Sequence, residues 1–508
     1  MPLPSPALAK DTEKDAVAAL EGIPEPVSTT SLSQRGVAYI TARYGCSALV
    51  NAGNVLVLTW WIGPRAYGAF VTAVGITTFL ASIARTGLDT HLVRSEDAPT
   101  REDYDTAFTL ILAISVLLCA LGGLALPLLT RWLPESSFAL PYLVLLFTVP
   151  LIGLAGPPLA QLERALQFQD VAKIEFGGQL AAFVTGAILA WRGLGVWAPV
   201  TGHVIWQLFV LLAAGRLSGF SPRLTVDWTR ARHMLGFGLG FSASVRIWQL
   251  RGLVNPLIVG RFLGTEAVAF VALAVRAIEA LSFVRTAVGR VAIAALARLR
   301  EDPARCQQMM QKGARLQLFA LGAVFGVMSI LGPPLLPRLL GGRWSSALAV
   351  LPFVAAGALI NSVFVLEASA LFVEGRQWVV TRSYLWHVVI LVLGTAILTP
   401  RIGIAGYGWA ELAACVPYVI LHRGLQPNLR ISLSQVLPWL AAFVLAFLSS
   451  LLISSIRWAL WLPLMFLLWI EARRWMIRGS LAQGTQNDRF SWSWIYAAPV
   501  ERTGRLAE

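Results

Sequence analysis

The chain has 508 residues, 56% of them hydrophobic and only 13% charged, with a net charge of +14 and a mean hydropathy of +0.67. A soluble domain averages about 45–50% apolar and about 25% charged residues, so that class is excluded and the composition describes a polytopic membrane protein. The basic excess carries no stripe of cations interleaved with aromatics, so nucleic acid is not an expected partner.

Residues 1–34 hold Pro, Ser, Thr and acids without an apolar core, and are expected to be a disordered tail rather than a signal peptide. Apolar runs bounded by Gly, Pro and charge then predict fourteen helices, near 36–62, 67–92, 106–128, 140–160, 172–191, 195–215, 236–260, 265–294, 314–337, 347–372, 380–399, 404–421, 434–455 and 458–475. The residues from about Gly479 to Glu508 read as a second tail. Glu96, Asp97, Glu102, Asp103 and Asp105 cluster before the third helix, and read as a solvated connector rather than a metal site. Cys46, Cys119, Cys306 and Cys415 form no CxxC pair, so neither a disulfide frame nor a zinc site is expected. No metal and no cofactor is predicted.

An even helix number puts both tails on one side. Of the 41 Lys and Arg, 28 fall on the side of the tails and 8 in the opposite loops, with five inside helices. The positive-inside rule therefore makes both termini cytoplasmic in a multi-pass membrane protein. Loops on the outer side are short and leave no room for a catalytic domain.

The chain also repeats itself. Asn54 to Gly63, NVLVLTWWIG, matches Asn255 to Gly264, NPLIVGRFLG, with Ala66 and Ala267 following at the same distance. Arg131-Trp132 and Arg343-Trp344 precede the fourth and tenth helices. Leu159 to Arg164 and Leu371 to Arg376, and the turns before Trp197-Ala198 and Trp409-Ala410, extend the match. The expected fold is all-α. It has two parallel six-helix lobes, 35–215 and 235–422, joined by a linker at 216–234, and two extra helices at 434–475. Parallel repeats of this kind build transporters with a site between the halves.

Four phrases, WWIGPRAYGAFVTAVGITTFLASIARTGLDTHLVR, AQLERALQFQDVAKIEFGGQLAAFVTGAILAWRGLGVWAPV, LIVGRFLGTEAVAFVALAVRAIEALSFVRTAVGRVAIAALARLREDP and LLGGRWSSALAVLPFVAAGALINS, carry a resemblance. They resemble the oligosaccharide flippases of the multidrug/oligosaccharidyl-lipid/polysaccharide exporter superfamily, over roughly residues 35 to 425. The resemblance implies two lobes that alternate between inward-open and outward-open states. It implies an undecaprenyl-diphosphate-linked sugar repeat unit as cargo, for exopolysaccharide, O-antigen or capsule synthesis, with polysaccharide polymerase and export machinery as partners.

A diphosphate asks for cations, and Arg offers a bidentate fork. An Arg in mid-helix costs about 2.5–3.5 kcal/mol to insert and so faces an interior or a wet cavity. Arg43, Ser47, Asn51 and Asn54 share one face of the first helix. Arg251 and Asn255 share a face of the seventh, and the match of Asn255 to Asn54 selects that face over the one carrying Arg246, which is expected to pack between helices. Arg85 with Asp89 and Arg276 with Glu279 admit two readings. Each is a local ion pair that eases burial, or a carboxylate that holds the Arg until phosphate competes for it. Arg43, Arg85 and Arg276 fall at similar depth and suggest a ring. Glu367 and Glu411 are candidate ion-coupling residues, although hydrogen-bonded helix contacts explain them more simply, as they do His203 and Gln207. No Walker, Cys/His or Ser-elbow signature is present, so the chain is not expected to be an enzyme. Two alternatives are a cation-coupled drug or metabolite exporter of the same superfamily and a membrane-embedded sugar polymerase or ligase.

Overall fold

The computed structural model describes the backbone of residues 29–95, 97–282, 292, 296, 297, 299, 302–451, 461 and 464–470. Within these, side chains are described from Val50 onward except at 51, 52, 55, 56, 94 and 237–242. Met1–Leu49 and Val50–Glu508 form two separate compact units, and the described side chains all belong to the second.

Every described element is a helix. The first half contains α1 (Thr29–Arg85), α2 (Leu88–Arg94), α3 (Arg101–Leu124), α4 (Leu126–Trp132), α5 (Ala139–Leu146), α6 (Thr148–Leu154), α7 (Gly156–Arg164), α8 (Phe168–Trp191) and α9 (Trp197–Ser218). The second contains α10 (Trp228–Val254), a π-helical turn (Asn255–Val259), α11 (Gly260–Leu281), α12 (Pro303–Leu340), a 3-10 segment (Gly342–Ala349), α13 (Leu351–Val373), α14 (Gln377–Ile402), α15 (Ala405–Ala413), α16 (Tyr418–Gly424) and α17 (Leu433–Ser449). Nine helical segments among the described residues are long and apolar enough to cross a membrane, Ala139–Arg164 counting as one. The chain is thus a multi-pass membrane protein, as composition requires.

In hydrocarbon, apolar side chains gain little by meeting one another, and helix packing depends on close backbone approach. The pair α8 and α9 illustrates this. A Cβ at Gly178 would lie 2.5 Å from the Trp206 ring, and one at Gly202 would lie 2.9 Å from the Ala182 carbonyl. Within the second half α10 packs on α14, α12 on α13 and α17, and α14 on α15. Its core is built around Trp344, Phe325, Phe353 and Tyr418, each at most 1% exposed.

The repeat read in the sequence has a shared geometry at its centre. Gly63 (φ 74, ψ 167) and Gly264 (φ 79, ψ −178) both break their helices, α1 and α11, in a conformation that favours glycine. Asn255 begins the π-helical turn, and its amide donates to the Val268 carbonyl at 3.1 Å, tying the turn to α11. One matched pair is out of register. Helices α7 and α13 close with Gln167 N–H on Leu162 and Arg376 N–H on Leu371. The equivalent residues are therefore Leu162 and Leu371, about one turn away from the Leu159 and Leu371 match.

The start of α10 is anchored on the first half. Thr100 caps α3, its N–H and hydroxyl both donating to Asp103 at 2.7 and 2.9 Å. Arg230 reaches across to Asp103 (2.8 Å) and Glu102 (2.9 Å), while Asp227 accepts the N–H groups of Thr229 and Arg230. The linker joins in, with Arg223 N–H on Asp105 at 3.0 Å and Arg101 on Ser221. Further along α10, Trp248 packs on Tyr384 and His387 of α14, in the second half. One helix therefore belongs to the first half at its start and to the second at its finish.

Candidate functional site: arginines between and within the two halves

Helix α1 ends at Arg85, and Thr86 and Gly87 (φ 45 and 78) turn the chain into α2. That turn sets Asp89 beneath Arg85, whose Nε and Nη2 donate to Oδ2 at 2.9 and 2.5 Å. The other oxygen, Oδ1, accepts the Thr90 N–H at 2.8 Å. The Arg85 side chain remains 41% exposed, so its guanidinium is still open to a ligand. The charge of Asp89 also reaches Arg246 of α10, and Nη2 of Arg246 is buried without a hydrogen-bond partner. Arg246, from the second half, thus lies within electrostatic reach of the carboxylate that Arg85 binds, without bonding to it.

Beside this group His91 of α2 meets His233 of α10, ring to ring at 5.5 Å. Burial, and then the nearby charge of His233, hold the His91 pKa below the ordinary histidine value.

Arg276 and Glu279 stand on α11 with exposed side chains. They make no ion pair with one another among the described residues. The charge of Arg276 instead reaches Tyr67 of α1 and His203 of α9, so this guanidinium looks toward the first half. Of the two readings weighed for the pair, the local ion pair is absent.

Arg251 belongs to a different cluster. Its Nη2 donates to Oε1 of Glu411 on α15, and its guanidinium lies 5.2 Å from the Trp248 ring centre. Glu411 is 2% exposed, and its Oε2 and the Arg251 Nε have no partner. Trp248, Arg251, Glu279, Asn361, Glu411 and Tyr418 line a small cavity of about 30 Å³ within the second half. Glu367 is fully buried, and its Oε1 binds His422 Nδ1 at 2.8 Å and the Ile431 N–H at 3.2 Å. That carboxylate holds the segment leading into α17.

Of the residues singled out in the sequence, Arg85, Arg251, Asn255, Arg276, Glu367 and Glu411 are all described, in the settings given above. Asn54 is partly buried beside Gly186 of α8. The side chains of Arg43, Ser47 and Asn51 lie outside the described residues. The face of α10 chosen by the repeat leads into the second half, because Asn255 and Arg251 bind α11 and α15. The opposite face, with Arg246, is the one within electrostatic reach of Asp89. Sequence reasoning placed this residue on that opposite face, as five positions on a 100°-per-residue helix require, but expected it to pack between helices rather than to serve the site. No group of three or more His, Cys, Asp or Glu suited to a metal occurs among the described residues.

At the end of the molecule away from Arg230, the halves are bound together. Trp132 Nε1 donates to the Leu257 carbonyl at 2.8 Å, and Trp344 Nε1 donates to the Thr59 carbonyl at 3.0 Å. Glu135 accepts from Arg65 at 3.3 Å and from the Thr265 hydroxyl at 2.6 Å. Arg261 donates to the Trp132 carbonyl at 2.8 Å and stacks on its ring.

Comparison with known proteins adds the following. The sequence profile of a family described as polysaccharide biosynthesis protein matches residues 57–349, more than half of the chain. The amylovoran biosynthesis protein AmsL of Erwinia amylovora is 25% identical over 319 residues, 60% of this chain and 80% of that protein. The teichuronic acid biosynthesis protein TuaB of Bacillus subtilis (strain 168) is 22% identical over 323 residues, 62% of this chain and 65%, just under two thirds, of that protein. Among solved structures, the lipid II flippase MurJ in an inward closed conformation superposes with a TM-score of 0.72 at 12% identity. It covers 87% of this chain and all of its own. An inward-facing multidrug resistance transporter of the MATE family gives a TM-score of 0.55 at 16% identity, over 79% of this chain and 95% of its own. At these identities the structures establish the fold alone, which this chain shares with both.

Proposed function

The chain belongs to the polysaccharide biosynthesis protein family, and we propose that it is the flippase that carries undecaprenyl-diphosphate-linked oligosaccharide repeat units across the bacterial inner membrane. The lobes, 35–215 and 235–422, expose a shared cleft first to the cytoplasm, where both termini lie, and then to the outer leaflet. One observation carries the reading. Arg85 binds Asp89, Arg246 of the other half stands within electrostatic reach of that carboxylate, and Arg246 keeps a buried donor unused.

A buried N–H without a partner leaves a desolvation penalty of about 1–3 kcal/mol, and more for a charged group. A diphosphate entering between the halves offers oxygens to Arg246 and competes with Asp89 for Arg85 through bidentate bonds. Arg276, exposed and unpaired with Glu279, adds a third cation, and Arg43, Ser47, Asn51 and Asn54 of α1 are proposed to join it as cation and sugar contacts. No bond is made or broken, so a carrier of this kind needs positioning and charge rather than catalytic groups.

Glu411 and Glu367 are the candidates for coupling to an ion gradient, since each holds one buried oxygen without a partner. That feature favours the second reading, a cation-coupled exporter, to the same limited degree. The cationic residues between the halves favour an anionic cargo.

Depletion of the protein in its host, followed by mass spectrometry of prenyl-linked lipids, tests the proposal. A diphosphate-linked sugar unit should accumulate, protected from an added glycosidase. Unchanged lipids and surface polymer would move the assignment to the metabolite exporter. At normal protein levels Arg246→Ala and Arg276→Ala should each abolish polymer export, and Arg43→Ala and Arg251→Ala should weaken it. Export undiminished in Arg246→Ala and Arg276→Ala would sink the diphosphate site.

A further inference from the structure

We infer that the end held by Trp132 and Trp344 is the outer gate, closed by two crossed copies of one latch that must both release for cargo to leave. The inference rests on the alternating-access reading above and adds the parts that move. In each copy an Arg-Trp tryptophan from one half donates its indole N–H to a backbone carbonyl of the other half. Trp132 takes Leu257, and Trp344 takes Thr59. In the register of the repeat these acceptors lie one turn apart, so the copies are equivalent but not identical.

The acceptor helices are prepared for this. Pro64 has no N–H, which leaves the Trp60 carbonyl without its helical donor. Arg343 supplies the missing bond. Each kink glycine is also roofed by a charged side chain from the opposite half, Gly63 by Arg343 and Gly264 by Glu135. Between the latches the backbones of α1 and α11 touch. A Cβ at Gly68 would lie 1.8 Å from the Thr265 carbonyl oxygen, which no side chain can accommodate.

The two latches differ in strength. Trp344 is 1% exposed and packs edge-on against Tyr67 and Phe270. Trp132 is 45% exposed, and its ring is covered on one face by Arg261. Water replaces a lost bond at Trp132 and cannot reach Trp344, so the Trp132 seam parts first and the Trp344 seam last.

Two experiments in native membranes test this. In the first, Glu135→Cys with Thr265→Cys is bridged by a short bifunctional methanethiosulfonate. Bridging should stop lipid flipping, and a reductant should restore it. Bridging with flipping unchanged, or thiols that fail to bridge in a chain that flips, overturns the gate. A failure of the unmodified protein to flip the lipid would remove the transport reading instead, while the bridging result still reports the seam. In the second, a membrane-impermeant maleimide is applied from outside to Thr265→Cys. Gly68→Ala should raise its labelling rate at least about tenfold, and Trp344→Phe by up to about tenfold, the equivalent of one buried hydrogen bond. Trp132→Phe, which keeps an aromatic ring at a half-exposed site, should raise it a few-fold. Equal labelling in all three overturns the latch.

Discussion

Two arginine–carboxylate pairs invite comparison, because one is half-wet in the first half and the other is dry inside the second. Arg85 is 41% exposed against an Asp89 that is 17% exposed. Arg251 is 23% exposed against a Glu411 at 2%. A half-wet pair is worth at most about 1 kcal/mol and can be exchanged for another anion at little loss. A dry pair is different, since removing one member strands a charge without solvent. The half-wet pair thus suits the exchange that the proposed function asks of Arg85, and the Arg251–Glu411 pair joins α10 to α15.

The sharpest way to break this comparison is Glu411→Gln. The change should lower the stability of the detergent-solubilised protein by roughly 3–5 kcal/mol, read as a lower melting temperature. Arg251→Met combined with Glu411→Leu should recover most of the loss, because a buried pair replaced as a unit is often near neutral. A Glu411→Gln protein as stable as the parent would show that the two pairs are alike after all.

A smaller effect is expected from Asp89→Asn, which should change stability by no more than about 1 kcal/mol. It should tighten pyrophosphate binding several-fold by releasing Arg85 and Arg246 together. Calorimetry giving weaker binding would mean that Asp89 orients the arginines rather than competing with the anion.

The smallest effect concerns pH. The His91 pKa is lowered in the folded protein, chiefly by burial and then by His233, so the separated form takes up the proton first. The α2–α10 contact is thus fully stable above the ordinary histidine value, about 6.5, and weakens as pH falls below it. Hydrogen exchange in α2 and at the start of α10 should speed up between pH 7.5 and 5.5. His233→Ala should reduce that dependence, since it removes the second cause of the shift.

Much of the fold was legible because membrane helices announce themselves through uninterrupted apolar length. The expected 172–191, 195–215 and 380–399 correspond to α8, α9 and α14 with ends moved by a few residues. The halves were legible through Asn54 to Gly63 and its copy, since a chain break with positive φ demands glycine at both Gly63 and Gly264. Facing was harder to read. The repeat pairs Asn255 with Asn54, but a shared register does not reveal whether a face looks into a half or between halves. Arg251 and Arg246 were ranked by register alone, whereas their partners, Glu411 more than 150 residues later and Asp89 more than 150 earlier, come from folding. The Arg-Trp pairs likewise marked the repeat without disclosing that each indole serves the opposite half.

The bonds that fasten the start of α10 to α3 also set an order of assembly. Asp105 waits for Arg223, 118 residues later in the chain, and Asp103 waits for Arg230, 127 residues later. At about 5–20 residues per second the ribosome needs roughly 6–25 s to deliver them. During that interval the acids at the head of α3 have only one another, their near neighbours and water. The first half is thus completed by a segment written after it, which ties its maturation to the arrival of the second.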